Sequence, residues 1–350
     1  TYHYGLPSPR QGHLQIHKES AMTLMQRGVV LQGVDPADQF LEIATHVEAL
    51  GYDYLWLTES SLHARDPYQL LALAAQVTTN LCLGTAVTNP VTRHPALTVV
   101  AAATLAEIAG DRSILGIGAG DRPLAALGRR PARLAELTAA IEAIRRLLAD
   151  DCVTLDSSSF SLADAQLRFD ARADLPIYLS ASGPKTLELA GAVADGVILL
   201  CGLEPTAVKW ALDCVDVGAE KAQRPRPHVA LFVYGVIDED EDKAVASARS
   251  IAAWFPQTAP NYCDLVGLDP EIAKAVRESY SGGEFHEATA AATLLPRSFV
   301  QAMAVAGNRD RITTQLSALQ NTGVDSIHIF PLGDDRMATV SAFDECWRRL

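Results

Sequence analysis

Three stretches of this 350-residue chain carry residue types and spacing suited to chemistry. The first is Thr58-Glu59-Ser60-Ser61, with His63, Arg65 and Asp66 close behind, directly after an apolar run. The second is Gly118-Ala119-Gly120-Asp121-Arg122, again closing an apolar run, with Thr88, Asn89, Arg93 and His94 after the run before it. A carboxylate at such a place, Glu59 or Asp121, can hold or pass a proton. The third is Ser182-Gly183-Pro184-Lys185, which leads straight into TLELAGAVAD. Its Pro near a first helical turn leaves free N–H groups, a positive dipole end and a lysine where a phosphate could dock. The same four residues also fit an ordinary capped helix with a solvated lysine, and local sequence does not separate the two.

Gly116, Gly118 and Gly120 invite a dinucleotide reading, but the full motif needs glycine where Asp121 stands, and a carboxylate there repels a pyrophosphate. No HExxH, no paired histidine ligands and no GxSxG occur, which disfavours zinc and serine hydrolases and predicts no metal site.

These groups need elements to hold them. From residue 28 onward, β-branched runs alternate with longer amphipathic stretches, the order of an α/β protein with a parallel sheet. Eight strands are predicted: Gly28–Gly33, Asp53–Glu59, Leu81–Thr88, Ser113–Gly120, Leu175–Ala181, Gly196–Gly202, Val229–Ile237 and Ser326–Leu332. Most are nearly continuous apolar runs, as expected when helices cover both faces. Between them, stripes such as Phe40, Leu41, Ala44, Val47 and Leu50 mark helices. Eight such units match a (β/α)8 TIM barrel of roughly 250 residues with insertions. Alternation alone leaves an open doubly wound sheet as the alternative. The insertions fall near 150–174, read as a hairpin or loop, and 254–297, read as a lid or interface element containing a helix over Pro270–Tyr280. Residues 1–21 read as an N-terminal arm, and 22–350 as a single barrel domain. The acidic run Asp238–Asp242 reads as a solvated helix start.

Composition narrows the partners. With 49% apolar and 20% charged residues the chain can bury a large core. Its 42 acidic against 29 basic residues, a formal net charge of -13, oppose broad contact with nucleic acid or an anionic membrane. No apolar stretch approaches the roughly 20 residues of a bilayer span. Six cysteines without CxxC spacing fit a reduced cytoplasm.

Taken together, DYLWLTESSLHARDPYQLLALAA (53–75), LGTAVTNPVTRHPALT (83–98), ATLAEIAGDRSILGIGAGD (103–121), LPIYLSASGPKTLELAGAVADGVIL (175–199) and VAGNRDRITTQLSALQNTGVDSIHIFPLG (305–333) resemble the luciferase-like superfamily. The resemblance is nearest to the coenzyme F420-dependent branch that contains methylenetetrahydromethanopterin reductase. It implies a (β/α)8 barrel with the cofactor ring across the strand ends. It also implies a non-proline cis peptide at Ala86-Val87 before Thr88, and a phosphate held by Ser182, Gly183, Pro184 and Lys185 with Cys201 and Gly202. Gly118, Ala119 and Gly120 would lie beside the ring.

Asp121 occupies the place of an acid that recurs in the F420 enzymes. Many relatives carry an acid followed by His after strand two, whereas this chain has Glu59-Ser60. Proton handling therefore falls to Glu59 and Asp121, with His63 a lesser choice. The implied function is F420-dependent hydride transfer to or from a small organic substrate, in a homodimer. The alternatives are an FMN-dependent monooxygenase and a cofactor-binding protein without catalysis.

Overall fold

The computed structural model describes residues 25–121, 123–282 and 285–350. The expected arm 1–21, Arg122 and Gly283 lie outside the described residues. Parallel strands β1 (Gln26–Gln32), β2 (Tyr54–Thr58), β3 (Cys82–Thr85) and β4 (Ser113–Ile117) pair in sequence, and an antiparallel hairpin, β5 (Val153–Asp156) and β6 (Ser161–Ala165), follows. The hairpin occupies the insertion near 150–174. Strand β7 (Ile177–Ala181) then pairs with β4, β8 (Gly196–Leu199) with β7, and β9 (His228–Ile237) with β8. A three-residue strand β10 (Val305–Gly307) lies parallel to the end of β9, and β11 (Ser326–Pro331) pairs with both β9 and β1. That last pairing closes an eight-strand parallel barrel and removes the open-sheet alternative.

The structure differs from the sequence expectation in two ways. Strand β10 was not expected: it is too short to carry a period, and it forms because Gly235 lets it in, since a Cβ there would stand 2.1 Å from the Val305 carbonyl oxygen. The ladders also stop earlier than the apolar runs do. Glu59, Gly118–Gly120 and Cys201–Gly202 lie past the pairing, where the chain turns with Gly120 at φ +89 and Gly202 at φ +80. Thr88 keeps one parallel bridge, to Ile117.

The barrel interior is filled from the amino ends of the strands by Val30, Tyr54, Trp56, Ile114, Tyr178, Ile198, Ala230 and Phe232. Trp56 donates its indole N–H to His328 Nδ1 at 3.0 Å, so Nε2 of the neutral ring carries the proton toward Ser326, 2.7 Å away. Burial holds the His328 imidazole well below its usual pKa, with His228 adding to the effect. Glycines in the walls make room for these rings: a Cβ on Gly84 would stand 2.3 Å from the Trp56 ring and one on Gly196 2.4 Å from that of Tyr178. Because the floor is packed, a ligand has access only from the carboxyl ends of the strands.

The second insertion contributes helices Phe255–Thr258, Pro260–Leu265, Pro270–Ser279 and Thr289–Ala292. Asp240, in the acidic run, accepts from the N–H groups of Asp242 and Lys243 and so caps the helix Glu241–Ala252. Among the described residues no helix is long and apolar enough to cross a membrane.

Candidate active site at the barrel mouth

A cavity of about 440 Å3 opens at the carboxyl ends of β2, β3, β4, β7, β8 and β9, roofed by Trp254 and Thr258 from the insertion. A hollow of similar size lies on the outer flank between the helices Leu134–Leu148 and Pro184–Val193. There Arg145 is bonded to Asp195 at 2.8 Å. The chemistry-bearing strand ends converge only at the mouth.

One wall is acidic. Glu59 lines the cavity and accepts from Arg93, with Nε at 3.1 Å and Nη2 at 3.0 Å. Arg93 Nη2 also reaches Asp66 at 2.7 Å, and Asp66 caps the helix Pro67–Val77 by accepting from the N–H groups of Tyr68 and Gln69. Burial works against the charge of Arg93, but Glu59 and Asp66 outweigh it and raise the pKa. The guanidinium lies 4.9 Å from the centre of the Tyr68 ring. Behind this wall Glu59 Oε2, the Tyr68 hydroxyl and Thr88 Oγ1 are buried without a hydrogen-bond partner. Burial, followed by the charge of Glu59, pushes the Tyr68 phenol up, while the neighbouring Thr88 hydroxyl and the Arg93 charge work the other way. Arg65, six residues after Glu59, bonds the Val34 carbonyl at 2.7 Å.

The back of the cavity is formed by Ala86 and Val87, joined by a cis peptide, and by Gly118, Ala119 and Gly120. A Cβ on Gly118 would stand 2.8 Å from Val87 Cγ2, so glycine is what allows the ends of β3 and β4 to close up. Thr88, an expected contact, is fully buried behind this surface, its N–H donating to Gly116 O at 2.9 Å. Asp121 is exposed on the cavity rim, and its carbonyl accepts from Leu124 N. His63 is exposed in the turn after Glu59, outside the lining.

The opposite wall is the start of the helix Pro184–Val193. Ser182 and Thr186 line the cavity, and Ser182 Oγ bonds Leu200 O at 3.3 Å. Gly183 is the helix N-cap, no side chain caps the end, and a Cβ at Gly183 would meet nothing within 4 Å. Pro184 and Lys185 are exposed just outside the lining. Cys201 and Gly202 are not brought to the cavity surface. The Cys201 thiol is fully buried, which raises its pKa, and Gly202 packs against the helix Arg297–Met303, where a Cβ would stand 2.5 Å from Ala302 O. Leu200 takes their place on the wall.

Sequence reasoning missed Tyr234 and Trp254 on the lining, and placed Arg93 only as a polar residue after a strand run, without its tie to Glu59. Of the aromatics in the insertion, Tyr262 and Tyr280 are core residues. The side chains of Phe285 and His286 lie outside the described residues.

Comparison with known proteins agrees with this geometry. The luciferase-like monooxygenase family matches residues 14–326. A 5,10-methylenetetrahydromethanopterin reductase of Methanolobus tindarius is 33% identical over 302 residues, covering 83% of this chain and 90% of that protein. An F420-dependent glucose-6-phosphate dehydrogenase of Amycolatopsis mediterranei is 26% identical over 333 residues, covering 88% and 94%. The solved structure of the coenzyme F420-dependent tetrahydromethanopterin reductase from Methanopyrus kandleri superposes with a TM-score of 0.79 at 25% identity, over 92% of this chain and 97% of that one.

Proposed function

The chain belongs to the luciferase-like monooxygenase family, and on that premise we propose an F420-dependent oxidoreductase that moves a hydride between the deazaflavin C5 and a small organic substrate. The observation that carries this reading is the mouth itself: an apolar back of Ala86, Val87 and Gly118 stands between a carboxylate wall and an uncapped helix start. The site fits the cofactor. A flat ring suits the Ala86–Val87–Gly118 surface, and the open space beside Gly183 suits a phosphate at the helix N-terminus.

When bound, F420 supplies the hydride donor or acceptor, and the protein's work is positioning and proton management. Asp121, exposed on the rim, is the group placed to give a proton to the substrate or take one from it. Glu59, tied through Oε1 to Arg93, keeps that side of the mouth negative and fixed in place. Ser182, Gly183 and Lys185 receive the phosphate, with Pro184 setting the first turn and Lys185 adding charge from outside. Cys201 and Gly202 support this wall from behind. Trp254, Tyr234 and Leu200 exclude water on the substrate side.

A homodimer is part of the proposal. The helix Pro95–Ala109 is apolar almost all round, and it exposes Leu97, Val100 and Ile108 beside Leu73 and Val77 of its neighbour. A second copy would cover that face. With six free cysteines, a reducing compartment such as the cytoplasm suits the chain.

Equilibrium titration of purified protein with F420 and, separately, with FMN tests the reading. F420 is expected to bind more tightly. FMN binding at least tenfold tighter, about 1.4 kcal/mol, would transfer the assignment to the monooxygenase alternative.

A further inference from the structure

Tyr262 sits in the insertion helix Pro260–Leu265, fully buried, yet its hydroxyl crosses to the anion wall and donates to the Ser182 carbonyl at 2.9 Å. Its ring is locked edge-on to Trp210, with centroids 5.5 Å apart and planes at 89°. Burial drives the phenol pKa up, so the hydroxyl remains a protonated donor. Ser182 immediately precedes the N-cap Gly183, and its own Oγ is bonded to Leu200 O. The peptide leading into the helix is thus held from two sides. The neighbouring loop is held separately, by the helix Arg297–Met303, since Leu203 N donates to Ala302 O at 2.7 Å.

A carbonyl oxygen beside an anion site is a liability, because its lone pairs repel a phosphate if it swings toward the ligand. A hydroxyl fixed onto that oxygen occupies one of its lone pairs and sets the orientation of the peptide. The donors at the helix start are then arranged before the ligand arrives, which lowers the ordering cost of binding.

We propose that Tyr262 is a positioning residue for the cofactor phosphate, acting from the insertion through the Ser182 carbonyl on the uncapped start of the Pro184–Val193 helix. The inference rests on the F420 reading above and assigns the 254–297 insertion a part in cofactor affinity.

The test is fluorescence titration of wild-type protein and Tyr262→Phe with two ligands: F420, and the phosphate-free riboside of the same deazaflavin. Phenylalanine keeps the ring and its Trp210 contact and removes only the hydroxyl. The expected result is a Kd for F420 raised about five- to tenfold, the scale of one hydrogen bond, with the Kd for the phosphate-free riboside changed less than about twofold. An equal loss for both ligands, or no loss for either, overturns the role of Tyr262 while leaving F420 as the cofactor. Wild-type protein that does not bind F420 overturns the cofactor reading, and this inference falls with it.

Discussion

On the β2–β3 side of the mouth the negative charges of Glu59 and Asp66 are met by Arg93 at 3.0 and 2.7 Å, whereas on the β7 side no side chain caps the Pro184–Val193 helix and open space lies beside Gly183. The first wall has met most of its electrostatic demand internally. The second has kept its donors for something else. A folded chain satisfies its buried polar groups wherever nothing else will do so, and a helix start left without a cap at the edge of a cavity is where an anionic ligand can complete the set. Asp121 departs from the pattern of the acidic wall by standing exposed on the rim. In the function proposed above, that difference separates the carboxylate assigned to proton transfer from the one assigned to bracing.

The strongest challenge to this contrast is Asp121→Asn. Removing the titrating group while keeping its shape should lower turnover about 10²–10⁴-fold and leave the F420 Kd nearly unchanged. Steady-state rates beside a binding titration will show whether the two separate. Glu59→Gln should cost distinctly less in rate, and equal losses would abolish the distinction between the two carboxylates.

Next in size is Arg93→Met, which strands Glu59 and Asp66 together. Breaking a largely buried pair from one side costs about 3 kcal/mol, read as a lowered urea midpoint. Adding Glu59→Gln should recover part of that loss.

On the other wall, Lys185→Ala should weaken F420 binding about fivefold, in line with one exposed cation at a helix start, and leave the urea midpoint where it was. Raising the salt concentration should shrink the difference.

The smallest effect is expected at Tyr68→Phe. Its hydroxyl has no partner, so removing it should change stability by less than about 0.5 kcal/mol or raise it slightly. A loss well above that would reveal a bond that the acidic wall makes through Tyr68.

Much of the frame was legible in the sequence because strands buried on both faces announce themselves as apolar runs, and because polar residues at their ends mark the mouth. Asp121 and Ser182 could be placed in this way. Closure could not, since it rests on β11 pairing back to β1 across some 300 residues of chain. The Glu59–Arg93 pair was hidden for a related reason: 34 positions separate the two, and they meet only because β2 and β3 lie side by side. Cys201 was expected beside the phosphate, but the turn at Gly202 packs it into the core. Tyr262 and Trp254 carried no signal at all. Nothing in the spacing of an insertion tells which of its aromatics returns to the strand ends and which fills its own core.

The most direct measurement of the division between the walls is a crystal structure of the protein with F420 bound. It should show the cofactor phosphate accepting from backbone N–H groups at Gly183 and Lys185, the ring against Ala86, Val87 and Gly118, and Asp121 at the rim facing the substrate space. A phosphate seated elsewhere on the barrel, or a ring turned away from Asp121, would contradict the account.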